Sequence, residues 1–229
     1  MKPQPATLTG RRIRLEPLDH SHAPDLLEAA AHDEVWTYLD EPTPRTVEDI
    51  DHLIRDALTE QEQGPRLPFA VVRQSDDRTV GSTSYIDIRP AARTLEIGWT
   101  WMGPSEWGTG TNTEAKYLLL RHAFEILNAG RVAIKTDSRN ARSRRAIENL
   151  GATHEGTWRN HRLLSTGSYR HTDYFSIIDS EWPSVRAHLE EIMAHVQRPD
   201  QQRRPTKTTA QPGDERVRGR SAPLARFNR

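Results

Sequence analysis

The sequence predicts a mixed α/β fold in which helices flank one sheet. Three strand-like segments follow one another between residues 69 and 102, separated by short polar turns, which predicts an antiparallel meander. A glycine-containing loop, a helix, a strand and a second helix come next along the chain. This order of strands and helices is typical of a mixed sheet covered by helices.

Ahead of the meander, the sequence predicts one strand and two helices. Polar and apolar residues alternate over residues 12–18, as in a half-buried strand. A helix is predicted over residues 23–31. A longer helix is predicted over residues 47–63, where apolar residues recur at helical spacing and Gly64 marks the end.

The meander itself consists of predicted strands over residues 69–73, 79–88 and 94–102. The clearest helical pattern of the chain follows the glycine-containing loop. The remaining elements are predicted as helices over residues 112–128, 141–150 and 181–196, and as strands over residues 131–136, 153–162 and 169–178.

The composition divides the chain into two parts. Residues 197–229 contain nine of the 32 basic residues, three of the 32 acidic residues and almost no large apolar side chain. The formal charge is therefore about +6 in this segment and about −6 in residues 1–196, although the whole chain is neutral. We expect one domain over residues 1–196 and a disordered basic tail over 197–229, which could contact nucleic acid.

Residue types that are missing exclude several classes of site. The chain has no cysteine, which excludes disulfides, thiolate zinc sites and cysteine nucleophiles. The spacing of His20, His22 and His32 gives no defensible metal site, so we expect no metal. No apolar run reaches the roughly 20 residues that span a membrane, and residues 1–10 lack a signal-peptide pattern, so we expect a cytoplasmic protein without a membrane partner.

The loop before the predicted helix at residue 112 has the features of an anion site. Gly108 and Gly110 free the backbone, and Thr111 and Glu114 have capping-box spacing at the helix start. Amide groups that converge at a helix amino terminus bind anions. The loop contains no lysine, which excludes a Walker-type phosphate motif. A tight turn that needs two glycines is the alternative.

Three segments together carry a family resemblance that none carries alone. They are Leu95-Glu96-Ile97-Gly98-Trp99, Trp107 to Ala115, and Asn140-Ala141-Arg142-Ser143 running on to Gly151-Ala152. In order and spacing they resemble the motifs of the GCN5-related N-acetyltransferases, above all the branch with ribosomal-protein N-terminal acetyltransferases. The resemblance covers residues 8–196 and implies a mostly antiparallel sheet of about seven strands, with central strands that splay apart.

The resemblance implies that acetyl-coenzyme A is the cosubstrate. Its pantetheine arm would lie in the gap between the splayed strands, bonded to the backbone of Trp101 and Met102 and to Asn140, which is also a candidate helix cap. Its pyrophosphate would meet loop amides. The loop residues that the resemblance assigns to the pyrophosphate are Trp107, Gly108, Thr109, Gly110, Thr111 and Asn112. Trp107 and Asn112 depart from the family's usual pattern of Arg or Gln at the first position and Gly or Ala at the last.

Ser143 and Glu96 are the candidates for proton transfer. The resemblance makes Ser143 the candidate to protonate the leaving thiolate, because Glu148 stands where many relatives have a tyrosine; a surface hydroxyl is the alternative. Strand alternation places Glu96 opposite Trp99 and Trp101, where it could accept a proton from the amine. An ion pair with an arginine on a neighbouring strand is its alternative role.

Trp36, Tyr38 and Tyr85 are expected to line the acceptor side. The expected reaction is direct acetyl transfer to a primary amine through a tetrahedral intermediate, without an acyl-enzyme. The family branch suggests a protein N-terminal α-amine, and a small amine such as an antibiotic or polyamine is the alternative. A catalytically degenerate CoA-binding or interaction module is the rival from another class. The sequence leaves the oligomeric state open.

Overall fold

The computed structural model describes residues 1–196, which form one eight-stranded sheet with helices on both faces. The strands run in the order β1-β2-β3-β4-β5-β6-β8-β7, and only β5 and β6 pair in parallel. They are β1 (Leu8–Thr9), β2 (Ile13–Pro17), β3 (Leu67–Arg73), β4 (Arg78–Arg89), β5 (Thr94–Met102), β6 (Arg131–Asp137), β7 (Thr153–Leu163) and β8 (Tyr169–Ile178). The predicted mixed sheet and its meander of β3, β4 and β5 are confirmed.

Six α-helices accompany the sheet in the described residues. They are α1 (Ala23–Ala30), α2 (Asp33–Trp36), α3 (Val47–Gln63), α4 (Thr111–Arg121), α5 (Ala141–Glu148) and α6 (Trp182–Val196). The short β1 and α2 were not predicted, because two and four residues give no readable periodicity. The predicted tail over residues 197–229 lies outside the described residues.

The sheet separates two apolar cores. On one face, Phe69 and Ile97 pack with Leu118 and Leu119 of α4 and with Leu189 of α6. The other core lies against α1 and α3, whose contributions include Leu26, Ile50 and Ile54, packed on Ala70 and Val72 of β3. Helix α3 begins at a capping box in which Thr46 and Asp49 bond each other's backbone, and it ends at Gly64 with φ of 98°.

A β-bulge in β5 changes which side chains face which core. Ser82 of β4 pairs with Trp101, but Ser84 pairs with Gly98, so β5 has one extra residue, and Trp99 has a φ of 48°. The tryptophans therefore join Glu96 on the α1–α3 side, and Thr100 faces α4, where its hydroxyl bonds Lys116. The prediction that Trp99 and Trp101 lie opposite Glu96 is wrong, because one inserted residue reverses the alternation.

The start of α4 also differs from the prediction. Gly110, with φ of 95°, is the N-cap residue, and no side chain caps the helix. The Thr111 hydroxyl instead bonds Glu106, and the Glu114 carboxylate accepts the backbone N–H groups of Arg11 and Arg12. The predicted capping box of Thr111 and Glu114 is therefore wrong. The α-helix ends at Arg121 and continues as a π-helical turn to Ile126, short of residue 128.

Candidate functional site

A cleft opens where β5 and β6 stop pairing. The two strands pair from Thr94 with Arg131 to Ile97 with Ile134, and no pairing follows. Residues 135–137 of β6 continue to pair with β8 alone, and the end of β5 pairs with β4 alone. Backbone groups of both strands are thereby left without a strand partner at the cleft, which is the splay that the family resemblance implies.

The loop that follows β5 presents free amides beside this cleft. Within residues 1–196, no hydrogen bond is donated by the N–H groups of Gly108, Gly110, Asn112 and Thr113. The first amide of α4 that bonds in the helical pattern is that of Glu114, to the carbonyl of Gly110. Converging N–H groups at a helix amino terminus favour an anion, so this loop fits a pyrophosphate.

Glu106 fixes the loop against β3, a role that no sequence pattern predicted. Its carboxylate is 5 % exposed and accepts a hydrogen bond from Arg73 of β3 at 2.5 Å. The other carboxylate oxygen accepts the Thr111 hydroxyl at 2.6 Å. The available signal was an acidic residue inside a loop expected to bind an anion, which requires a partner cation elsewhere in the chain.

Trp107 connects the loop to the opposite wall of the cleft. Its indole Nε1 donates to the Met102 carbonyl at 3.0 Å, and the Arg142 guanidinium lies 3.4 Å from its ring centroid. Arg142 has no ion-pair or hydrogen-bond partner within the described residues. One lone pair of the carbonyl assigned to pantetheine is thus already engaged. Trp107 departs from the family pattern, and its ring positions the Arg142 guanidinium beside the loop.

Asn140 and Ser143 lie at the start of α5. The Asn140 side-chain oxygen accepts the Ser143 N–H at 2.9 Å, so Asn140 caps the helix as its alternative role predicted. Its amide nitrogen has no partner within the described residues and can donate to a ligand. The Ser143 side chain is half-buried, and its hydroxyl has no hydrogen bond there either.

Glu96 is buried and ion-paired. Its side chain is 6 % exposed, and one carboxylate oxygen lies 2.6 Å from Nζ of Lys135 on β6. Burial raises the pKa of Glu96, and the Lys135 ammonium opposes part of that rise. The ion pair expected as an alternative role therefore exists, with a lysine in place of the arginine.

The three candidate acceptor residues have different locations. Tyr85 is fully buried on the α4 side, and its hydroxyl donates to the Leu119 carbonyl at 2.5 Å, so its assignment to the acceptor side is wrong. Trp36 packs on Trp101 with ring centroids 5.2 Å apart. Tyr38 is half-buried and donates to the Arg139 carbonyl at 3.3 Å, next to α5.

A cavity of about 110 Å³ lies between α3 and β5. Trp36, Trp99 and Trp101 line it, so it borders the strand segment that also forms the cleft. Its remaining lining combines Leu18 and aliphatic side chains of α1 and α3 with Glu41, Asp56, Glu60, Arg66 and Ser82.

Two further properties concern the described part of the chain. Among residues 1–196, no three histidine or carboxylate side chains come together in a way that could hold a metal ion. Within the same range, every helix is too short or too polar to cross a membrane.

Comparison with known proteins places these features in a family. Residues 12–153 match the family described as the acetyltransferase (GNAT) domain. The probable N-acetyltransferase YjcK of Bacillus subtilis (strain 168) is 27 % identical over 173 residues, which cover 69 % of this chain and 95 % of YjcK.

Two other relatives are similar over different lengths. A protein named "Putative ribosomal N-acetyltransferase YdaF", also from Bacillus subtilis (strain 168), is 33 % identical over 107 residues, 47 % of this chain and 57 % of YdaF. The crystal structure of a GCN5-related N-acetyltransferase from Brucella melitensis is 30 % identical, with a TM-score of 0.78 over 83 % of this chain and 86 % of that one. The chain therefore belongs to the GNAT family and is an acetyl-CoA-dependent N-acetyltransferase.

Proposed function

We propose that the protein transfers the acetyl group of acetyl-CoA directly to the α-amine at the amino terminus of a protein. The observation that carries the proposal is the cleft after Ile97 and Ile134, which opens beside the free amides of Gly108, Gly110 and Asn112. A thioester arm and a pyrophosphate need these two environments next to each other.

The residues that would hold acetyl-CoA follow from this arrangement. The free amides of Gly108, Gly110 and Asn112 would bind the pyrophosphate oxygens. The expected amides of Trp107, Thr109 and Thr111 already donate hydrogen bonds within the loop. The backbone of Trp101 and Met102, along the unpaired edge of β5, would bond the pantetheine amides, and the free amide nitrogen of Asn140 would add a donor from α5. The bound thioester supplies an activated acetyl group.

The chain's own groups would move the two protons. The Ser143 hydroxyl is free to donate a proton to the departing sulfur. Glu96 would accept the proton of the acceptor amine through a water molecule, and its raised pKa brings it nearer to neutral pH. An α-amine, with a pKa of about 8, needs less help from such a base than a lysine amine at about 10.4.

The choice of a protein N-terminus is supported by one relative, YdaF, whose printed name is that of a ribosomal N-acetyltransferase. The experiment is a measurement of CoA release with a panel of amino-terminal peptides, internal-lysine peptides and small amines. We expect the highest kcat/KM with unblocked amino-terminal peptides. Acetylation of small amines alone would contradict the proposed acceptor, and no CoA release with any amine would contradict the transferase reaction.

Replacement of Ser143 tests the proposed acid. Ser143→Ala should lower kcat about 10²- to 10⁴-fold, because a general acid acts in the transition state, and should leave acetyl-CoA affinity nearly unchanged. Added base should not rescue it. Ser138→Ala is the control, because Ser138 lies in the turn between β6 and α5 but outside the proposed site. Equal turnover of both variants would remove Ser143 from the mechanism.

A further inference from the structure

The cavity between α3 and β5 adjoins the place where the acceptor amine must react. Trp99, at the β-bulge, and Trp101 form the wall of the cavity toward β5. The same stretch of β5 lacks a β6 partner and borders the cleft. An acceptor whose amine reaches the cleft can therefore extend its next chemical group into this cavity.

The volume and the lining fit a short apolar arm. About 110 Å³ is several times the roughly 30 Å³ that one water molecule occupies in the liquid, so the cavity accommodates a short alkyl chain. Trp36 packs on Trp101, and Leu53 and Ile54 close the side toward α3. Apolar walls of this kind favour methylene groups over charged or strongly hydrated ones.

The side chains that line the cavity carry more negative than positive charges. Its lining contains three carboxylates, those of Glu41, Asp56 and Glu60, and one cation, Arg66. Arg66 is paired with Glu60 at 3.4 Å and donates to Ser84 at 3.0 Å. Within the described residues, Glu41 and Asp56 have neither a hydrogen bond nor an ion pair.

Glu41 in particular is suited to receive a cation. Its side chain is half-buried, and burial raises its pKa. The carboxylates of Asp40 and Asp56 add to the rise, and the charge of Arg162 opposes part of it. A positive group placed beside it would favour the ionised carboxylate. Trp99 already has the Arg66 guanidinium over its ring at 5.0 Å, so the aromatic wall tolerates a cation as well.

We propose that this cavity selects acceptors with a second positive charge, which Glu41 and Asp56 bind while the adjoining apolar arm packs on Trp36 and Trp101. The inference rests on the proposed amine acetylation and narrows its substrate class to cationic acceptors. Such acceptors are either peptides with a basic residue next to the amino terminus or small alkyl diamines.

The test uses matched acceptors that differ in one charge. The first set contains tripeptides with lysine, norleucine or glutamate in the second position. The second set contains 1,4-diaminobutane and butylamine. We expect kcat/KM to be about tenfold to hundredfold higher for the acceptor with the added positive charge in at least one set, as a charge-assisted interaction provides. The set with this difference identifies the source of the cation.

Variants of the cavity lining test whether the cavity causes this difference in kcat/KM. The double variant Glu41→Gln and Asp56→Asn should bring the ratio of kcat/KM for the charged acceptor to kcat/KM for the uncharged acceptor close to one, through a loss of kcat/KM for the charged acceptor. Glu62→Gln, on the same helix as Asp56 but outside the cavity lining, is the matched control and should retain the full ratio. Unchanged thermal midpoints exclude misfolding.

Two results would overturn the inference: a ratio near one in the parent protein, or a ratio that the double variant leaves intact. If no acceptor is acetylated, the proposed function fails, and calorimetric binding of 1,4-diaminobutane against butylamine then decides the inference by itself. Tighter binding of the diamine that is lost in the double variant supports the cation site, and equal binding removes it.

Discussion

Glu96 lies where a structural and a chemical role overlap, because its buried carboxylate is ion-paired with Lys135. Both roles need the ionised carboxylate. The two roles differ in the expected effect of removing Lys135. A general base still accepts protons without the lysine, whereas a structural ion pair is lost.

Replacing each partner in turn separates these roles. Glu96→Gln should lower turnover about 10²- to 10⁴-fold and recover partly at high pH, where the amine is already neutral. Lys135→Met should retain turnover but move the acidic limb of the pH–rate profile upward, because loss of the ammonium raises the pKa of Glu96 further. If both variants lose turnover equally, and the loss parallels a loss of stability, the role of Glu96 is structural only.

Arg142 supplies a positive charge that the loop itself lacks. The loop carries no lysine or arginine, and Trp107 positions the Arg142 guanidinium 3.4 Å from its ring. Arg142→Ala should weaken CoA binding about tenfold, since a charge-assisted contact to phosphate is lost. Calorimetry with CoA and with phosphate-free S-acetylpantetheine measures this, and only CoA should be affected. Arg145→Ala, on the same helix, is the control. An equal loss of CoA affinity in that variant would mean that the overall positive charge of α5 is responsible, and not a specific contact of Arg142.

Lys116 is a buried amine that has no carboxylate partner among residues 1–196, and its Nζ donates to the Thr100 hydroxyl at 2.5 Å. Burial lowers the pKa of Lys116 to about 7 from its ordinary 10.5. Between these values the unfolded chain binds a proton that the folded chain does not, so the free energy of unfolding rises with pH over this range.

Lys116→Met should therefore be more stable than the parent at pH 6, and the difference should shrink as the pH rises to 10. Denaturant unfolding at pH 6, 8 and 10 measures the change. A stability difference that stays constant with pH would mean that Lys116 is solvated in the folded state.

At the scale of elements, the loop between β5 and α4 depends on a contact from a distant strand. Glu106 accepts from Arg73 and from Thr111, which fixes the loop backbone against β3. Arg73 also pairs with Asp76, whose side chain is 42 % exposed. The same arginine thus makes one buried and one solvated ion pair.

Glu106→Ala should weaken CoA binding at least tenfold and lower the thermal midpoint, because it leaves Arg73 and the Thr111 hydroxyl without this buried partner. Asp76→Ala is the matched control and should change both quantities little, since an exposed pair contributes at most about 1 kcal/mol. Calorimetric titration and thermal unfolding measure them. Equal effects of the two variants would show that Glu106 does not position the loop.

At the scale of the whole molecule, acetyl-CoA should stabilise the protein against heat. The cleft and the loop exist only in the folded state, so a ligand that binds them shifts unfolding by mass action, about 2.7 kcal/mol at 100 times its Kd. Adenosine 3′,5′-bisphosphate, which lacks the pantetheine arm, should stabilise less. Thermal unfolding with each ligand is the measurement, and no shift at millimolar acetyl-CoA would contradict the cofactor site.

Local patterns in the sequence determined most of the fold. Helical spacing and the Gly64 stop predicted α3 over its observed range, and strand-like segments predicted β5 and β8 over theirs. The order of three motifs identified the GNAT family. Asn140 as a cap was also predictable, because a cap acts within three residues along the chain. All of these signals depend on near neighbours.

Only the tertiary structure decided the details of the site. One extra residue at Trp99 placed two tryptophans on the Glu96 face, although the alternation rule had them opposite. Tyr85 proved to be core because its surroundings come from α4, more than 30 residues away in sequence. The pairs of Glu106 with Arg73 and of Glu96 with Lys135 likewise join residues 33 and 39 positions apart. A sequence specifies such contacts only through the whole packed fold, so no local pattern could reveal them.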